Sequence, residues 1–230
     1  MRLLLPAALS APLILLGACA QNTADGYAAP EEGDSGFYAA SNTRADELYL
    51  SRSAPPSALG YRDVYIADAN VDSMVVIQPE GVETDEAWVV TDEEAAVLQE
   101  DIEREFIDAL GYQSAFNIVE SPEEAELIVY TTVVALHPNA TREQVAAGEP
   151  PGGAVTISLA LVDAESGAVL VRSVDTKSTE DIWSFQQIDN EEPAIDLIFR
   201  SWGNSMRRGI LALQRRSNDP LVTPLQLEEQ

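Results

Sequence analysis

The chain has 230 residues, of which 46% are hydrophobic, and its formal net charge is −26 at pH 7. This hydrophobic fraction is enough for an ordinary core, and the length beyond a leader suits one domain. The acidic balance, with Lys177 as the single lysine, excludes nucleic acids and anionic membrane surfaces as partners, because both would be repelled.

Residues 1–18 have the pattern of a secretory signal peptide. Arg2 supplies a positive start, and the uncharged run that follows is too short to span a bilayer as a helix. The run ends in an apolar residue, two small residues and a cysteine, namely Leu16, Gly17, Ala18 and Cys19. The small residues would let a peptidase reach the bond before Cys19, so we expect residues 1–18 to be removed.

These four residues resemble the lipobox of bacterial lipoproteins. The resemblance implies that Cys19 becomes the first mature residue and carries fatty-acyl chains such as palmitate. Stable anchoring takes about two such chains, so a lipid bilayer is the partner expected at this end. Ala20 stands where an aspartate would retain an enteric lipoprotein at the inner membrane, which implies an outer-membrane lipoprotein that faces the periplasm. The alternative is an ordinary signal peptide cut nearby, with Cys19 as a free thiol.

The rest of the chain divides by composition into three parts. Residues 19–55 hold the lipidated cysteine and a segment rich in small, polar and acidic residues, which predicts a flexible tether. Within it, Gly36–Tyr38 is interpreted as an aromatic hook that docks onto the domain, the alternative being a chance aromatic in a tail. Residues 56–217 form a single periplasmic domain, and residues 218–230 are a loose, polar C-terminal tail.

The first half of the domain predicts short strands and one helix. Strands are expected at Tyr61–Asp68 and Met74–Gln78, separated by loops. Thr91 and Glu94 have the spacing of a capping box, which opens a helix that runs to about Leu110. Its buried stripe recurs at helical spacing, with the residues Ala95, Leu98, Ile102, Phe106, Ala109 and Leu110.

The second half predicts a hairpin and a last helix. A brief strand at Phe116–Val119 precedes Leu127–Leu136, which is apolar on both faces, as in a central strand. A loop over residues 138–153, with one helical turn capped by Thr141, leads to alternating strands from Val155 and Val169. Ile182–Phe185 either extends the second of these strands or covers a sheet edge, and a last helix follows Pro193.

This order of elements predicts an α+β fold. We expect a mainly antiparallel sheet with two main helices packed on one face, preceded by the signal peptide and the flexible tether. No other cysteine is present, so no disulfide framework contributes to the fold.

From about Ser35 onwards the pattern is similar to the uncharacterised bacterial lipoproteins of domain-of-unknown-function family 3313. The resemblance rests on the aromatic segment after the tether, the first strand before an acidic loop, the acidic start of the first helix, the hairpin and the last helix. The matching residues are Ser35–Phe37, Tyr61–Ile66, Asp92, Glu93, Asp163–Gly167, Trp202 and Gly203. The family implies a cell-envelope lipoprotein and supplies no catalytic residues.

Residues that could perform chemistry are few outside the anchor. His137 is the only histidine and has no nucleophile motif near it, so we interpret it as structural. One histidine and one cysteine exclude ordinary zinc spacing, and no cofactor or metal is expected. Acidic runs such as Glu123–Glu126 are interpreted as solvated surface, although a carboxylate pair is not excluded by counting. Trp202 fits the core, whereas Trp88 and Trp183 either contact a partner or close the sheet edge.

Three functions remain open at this point. The first is a non-enzymatic outer-membrane lipoprotein whose periplasmic domain acts as a binding or accessory module of an envelope assembly, with an envelope protein as partner. The second is an envelope hydrolase that uses a carboxylate pair. The third is a self-assembling structural subunit, because the sequence leaves the oligomeric state open.

Overall fold

The computed structural model describes residues 36–41, 44–52, 60–82, 88–186, 193–214 and 226–227. Within them lie nine strands: β1 (Phe37–Ser41), β2 (Glu47–Ser51), β3 (Asp63–Ile66), β4 (Val75–Val76), β5 (Asn117–Ile118), β6 (Leu127–Pro138), β7 (Gly153–Asp163), β8 (Val169–Thr179) and β9 (Gln226–Leu227). The described helices are α1 (Asp92–Gly111), α2 (Arg142–Ala146) and α3 (Ala194–Leu213).

The described strands form one sheet in the order β5-β3-β6-β7-β8-β2-β1-β9, and β4 pairs with β6. The run of pairs from β6 to β9 is antiparallel, whereas β3 is parallel to β5 and β6, and β4 is parallel to β6. The mainly antiparallel sheet is therefore confirmed. β6 lies inside the sheet, as its apolar sequence on both faces predicted.

The two long helices begin and end near the predicted residues. At the start of α1, the Glu94 N–H donates to Thr91 Oγ1 at 3.2 Å and the Thr91 N–H donates to Glu94 Oε2 at 2.9 Å, which completes the capping box. α3 starts directly after Pro193, whose fixed φ suits a helix entry. The capping box places Glu94 at the base of the candidate site described below.

Both long helices pack on the same face of the sheet. Their apolar stripes join the inward residues of the strands in one core cluster, which includes Phe106 and Phe199 as its largest fully buried side chains. A smaller cluster around Ile128 and Val162 lies on the other face. Two main helices on one face of the sheet are thus confirmed, and the core lies between the helices and the sheet.

α1 and α3 pack closely at Gly203. A Cβ atom on this residue would lie 2.6 Å from Ala109 Cβ and 3.2 Å from the carbonyl oxygen of Glu105. Both distances are below ordinary contact, so only glycine fits while the helices keep this separation. Gly209 lies six residues further along α3, and a Cβ atom there would have no neighbour within 4 Å among the described residues.

The edge of the sheet differs from the sequence prediction. β1 and β2 lie inside residues 19–55, the segment expected as a tether, and β9 lies inside the tail expected to be loose. Leu50 of β2 is fully buried, and β2 pairs with β8 while β9 pairs with β1. These three strands are short and are embedded in segments rich in small, polar and acidic residues, so the composition of the whole segment did not indicate them.

The interpretation of Gly36–Tyr38 as a docked aromatic segment agrees with the structure. The Arg52 N–H donates to the carbonyl oxygen of Gly36 at 2.9 Å. The guanidinium carbon of Arg172 lies 4.8 Å from the centre of the Phe37 ring, within the range of a cation–π contact. The chain therefore joins the sheet from residue 37 onwards, earlier than the predicted boundary at residue 56.

Candidate functional site

The residues of the predicted anchor lie outside the described residues. Leu16, Gly17, Ala18 and Cys19 belong to this part of the chain, so lipidation of Cys19 stays a prediction. The remaining candidates from the sequence, Trp88 and Trp183, are both described.

Trp88 and Trp183 are 95 positions apart in the chain and lie in contact in the fold. Their ring centres are 4.2 Å apart with the planes inclined by 51°, and the ring of Phe185 lies 6.4 Å from Trp88. Their exposed fractions are 8% and 6%. The two indoles are therefore mostly buried. Burial is what the sheet-edge alternative requires of them, whereas contact with a partner would require exposed rings.

Arg142 covers both indole rings from the solvent side. It is the first residue of α2, the helical turn predicted from Thr141, whose hydroxyl accepts from the Gln144 N–H. The guanidinium carbon lies 5.4 Å from the centre of the Trp88 ring and 5.0 Å from that of Trp183. Both distances are typical of cation–π contacts, so Arg142 connects loop 138–153 to the two tryptophans, in addition to the hydrogen bond from the Ile182 N–H to the Pro151 carbonyl oxygen.

Glu94 completes this arrangement, which we call the tryptophan–arginine cluster (Trp88, Trp183, Phe185, Arg142 and Glu94). Its carboxylate forms an ion pair with Arg142 and lies 3.4 Å from Trp88 Nε1, which donates to it. Burial opposes ionisation, but the Thr91 N–H and the Arg142 guanidinium outweigh it and hold the pKa of Glu94 below its usual range. Glu94 is therefore charged at neutral pH and serves as helix cap and counter-ion together.

The backbone of Trp88 is held by the side chain of Gln78. Gln78 Nε2 donates to the Trp88 carbonyl oxygen at 2.9 Å, and the Trp88 N–H donates to Gln78 Oε1 at 3.0 Å. The amide thus satisfies both backbone groups, as a neighbouring strand would. This contact fixes Trp88 beside β4.

A groove lies next to Trp88, between β4 with its preceding loop and the start of α1. Its volume is about 390 Å³. The described residues that line it are mostly apolar, with two aspartates and a threonine: Val71, Asp72, Met74, Val76, Trp88, Val89, Val90, Thr91, Asp92 and Ala95. We call this feature the groove.

The charge around the groove is acidic. Asp72 and Asp92 are both exposed, and no lysine or arginine occurs among its described lining residues. Within the part of the chain that the structure describes, neither aspartate belongs to an ion pair. The groove therefore combines apolar side chains with the negative charge of two exposed aspartates.

A second group of acids lies between α1 and α3, and we call it the carboxylate cluster (Asp101, Glu105 and Asp196). Arg104 donates to Asp101 and to Asp196 at 2.6 Å each, and Arg200 donates to Glu105 at 2.8 Å. All three acids are buried. Burial, followed by the neighbouring Asp101, raises the pKa of Asp196 to about 6, and burial also raises the pKa of Asp101. Because the arginines bind these carboxylates, the cluster joins the two helices.

Other residues considered from the sequence have ordinary contacts. His137 Nε2 lies 3.2 Å from the hydroxyl of Thr156 on the neighbouring strand β7. Glu126 accepts from the Arg62 N–H at 2.6 Å. Among the described residues, no group of three or more histidines, cysteines and acids is arranged to hold a metal ion. None of the described helices is long and apolar enough to cross a membrane.

Three residues of the site were not predicted from the sequence, namely Gln78, Glu94 as a counter-ion and Arg142. The capping-box spacing at Thr91 and Thr141 predicted where each helix begins. It did not predict that the starts of the two helices contact each other. Glu94 and Arg142 are 48 positions apart, and nothing in their local sequences indicates that they meet. An arginine at the first turn of a short helix, where the dipole disfavours a cation, was the available signal.

Replacement of Arg142 by alanine is expected to lower the free energy of unfolding by about 1–2 kcal/mol. The change removes two cation–π contacts and one partly exposed ion pair, each of which contributes up to about 1 kcal/mol. Urea denaturation followed by tryptophan fluorescence measures the loss. Arg62→Ala is the matched control, because Arg62 is exposed and forms no ion pair with the described residues. Equal stability of the two variants would contradict a stabilising role of the cluster.

Comparisons with known proteins give similarities of structure at low sequence identity. No protein-family model matches the chain, and no curated protein has a matching sequence. A hypothetical protein of Chlamydia trachomatis matches with a TM-score of 0.41 and 10% identity, over 66% of this chain and 99% of its own. A Xanthomonas campestris protein of domain-of-unknown-function family 330 matches with a TM-score of 0.41 and 9% identity, over 73% and 92%. A Neisseria meningitidis lipoprotein matches with a TM-score of 0.26 and 12% identity, over 61% and 94%.

Proposed function

We propose that this protein is a bacterial lipoprotein, acylated at Cys19, that holds a periplasmic accessory module at the outer membrane. The observation that carries the proposal is the lipobox-like ending of an uncharged leader, Leu16 to Cys19, in a chain that contains no other cysteine. Membership of domain-of-unknown-function family 3313 is part of the proposal and rests on the residues quoted above. The proposed role is non-enzymatic contact with an envelope protein.

Two features of the described residues support an accessory role. The carboxylates with raised pKa values, Asp101 and Asp196, are buried and bound to Arg104. The groove, by contrast, is concave, and the apolar residue Val89 in its lining is 76% exposed. An exposed apolar side chain beside a concave surface favours binding of another molecule.

Replacement of Cys19 by serine is expected to release the protein from the membrane fraction, because serine cannot take the thioether-linked lipid. The measurement is fractionation of cells that produce the full chain, with detection in the membrane and soluble periplasmic fractions. Ala20→Asp is the matched control, since it keeps Cys19 and is expected to move the protein from the outer to the inner membrane of an enteric host. A Cys19→Ser variant that stays in the membrane fraction would contradict the anchor.

The accessory role is tested by cross-linking in intact cells that produce the wild-type chain, followed by identification of the attached proteins. We expect one envelope protein to be attached repeatedly, and attachment to depend on the position of the cross-linker. Absence of any attached protein across growth conditions would contradict an accessory role.

A further inference from the structure

The groove has the size of a binding site. Its volume of about 390 Å³ falls within the range of roughly 300–1,000 Å³ that is usual for ligand sites. Among its lining residues, Val89 is 76% exposed. An exposed apolar side chain beside a concave surface is available for contact with another molecule.

The charge at the rim limits what can bind there. Asp72 and Asp92 face no basic side chain among the described lining residues, and the whole chain carries a net charge of −26. An anionic ligand would be repelled. A ligand with a cationic group beside an apolar group would find carboxylates for the first and apolar side chains for the second in the groove. A second copy of this acidic chain would bring further negative charge to the rim, which disfavours self-association at this face.

The molecule itself contains an example of the cation that such a surface holds. Arg142 lies over the rings of Trp88 and Trp183 and pairs with Glu94, and Trp88 also lines the groove. A planar guanidinium stacks on aromatic faces and binds carboxylates better than an ammonium does. Because Trp88 is 8% exposed and its ring is already covered by Arg142, the groove itself offers the carboxylates of Asp72 and Asp92 to a further guanidinium.

We propose that the groove binds a segment of a partner protein in which arginine stands beside a large apolar side chain. This inference rests on the proposed accessory function and specifies the chemistry of the partner. The apolar side chain enters between Val76 and Ala95, and the guanidinium lies at the rim where Asp72 and Asp92 accept from it.

The test is a titration of the full lipidated chain, kept in non-ionic detergent, with a labelled peptide. The probe is fluorescent acetyl-Arg-Leu-Arg-Leu-amide, and the matched anionic probe is acetyl-Glu-Leu-Glu-Leu-amide. Fluorescence anisotropy, corrected for empty micelles, measures the dissociation constants. We expect the cationic peptide to bind at least about tenfold more tightly than the anionic one, with affinity that falls as salt rises.

Two pairs of variants locate the binding. Asp72→Asn with Asp92→Asn is expected to weaken binding of the cationic peptide about tenfold or more. Glu100→Gln with Asp108→Asn removes the same charge from exposed positions of α1 and is expected to change it less than about twofold. Val89→Ser is expected to weaken binding, whereas Val97→Ser, at an exposed residue of α1 outside the groove lining, is not.

Equal losses in the two double variants would show general attraction to an acidic surface and would overturn the inference. Equal affinity for both peptides, or no binding of either, would overturn it as well. These failures are distinguishable from failure of the proposed function. If the wild-type chain binds the cationic peptide but the Cys19→Ser variant stays in the membrane fraction, the proposed anchor is wrong and the inference about the groove stands. If the variant is released from the membrane but the wild-type chain does not bind the peptide, only the inference about the groove is wrong.

Discussion

Replacement of Gly203 by alanine is expected to destabilise the protein by about 1–2 kcal/mol in net terms, although alanine is the better helix former. The new Cβ atom would lie 2.6 Å from Ala109 Cβ, so α1 and α3 must separate and their shared core must repack. Overpacking of a well-packed core costs about 1–3 kcal/mol, and this cost exceeds the gain of roughly 1 kcal/mol in helix propensity. Thermal and urea denaturation measure the difference.

Gly209→Ala is the matched control for Gly203→Ala, because both residues belong to α3 and the added atom at Gly209 contacts nothing within 4 Å. It is expected to stabilise the protein by about 0.5–1 kcal/mol. A second change, Ala109→Gly, removes the opposing Cβ atom and is expected to restore part of the stability of Gly203→Ala. If Gly203→Ala were as stabilising as Gly209→Ala, the helices would not be packed at this distance.

The unfolding free energy of the wild type, measured relative to the Asp196→Asn variant, is expected to fall by about 2–3 kcal/mol between pH 4 and pH 7. Burial raises the pKa of Asp196 from 3.8 to about 6. The native state therefore holds a proton that the unfolded chain has already released in this range. The stabilisation is complete below the unfolded pKa and is lost as the pH rises through the folded value, whereas asparagine does not titrate.

Urea denaturation of both proteins at pH 4, 5, 6 and 7 tests this expectation. The groups that face Asp196 are Asp101, Glu105, Arg104 and Arg200, and they are the same in both proteins. Leu197→Ala, at the exposed neighbouring position, serves as a control whose stability relative to the wild type is expected to be independent of pH. A constant difference for Asp196→Asn, or one that grows with pH, would show that the carboxyl is not held neutral by its surroundings.

Much of the fold was predictable where the local pattern was strong. The capping box at Thr91 and the helical stripe behind it gave α1 within a residue or two, and the alternation from Val155 gave β7. The strands at the β9 end of the sheet were not predictable in the same way. β1 and β9 are short, and β9 is only two residues long, so their place in the sheet depends on partners far away in the chain. The three parallel pairings are likewise set by tertiary packing.

The candidate site was predictable only in its parts. Trp88 and Trp183 were recognised as candidates, but their contact joins residues on separate elements, and so does the pair of Glu94 with Arg142. Local periodicity reports which face of an element is buried and carries no information on which distant side chain meets it. The groove followed from the same distant contacts, because it lies between β4 and α1. For this reason its residues could be placed only with the fold in hand.

The order of strands also separates the N-terminal entry of the chain into the sheet from the groove. β1 is the first described strand after the predicted anchor. Four strands, β2, β8, β7 and β6, separate it from β4, which borders the groove. At about 4.8 Å per strand, this places roughly 25 Å of sheet between the point where the N-terminal segment joins the fold and the binding surface. If Cys19 carries the proposed lipid, insertions or deletions before β1 are expected to change the distance of the domain from the membrane without altering the groove. The reach of the chain and the chemistry of the groove could then be changed independently.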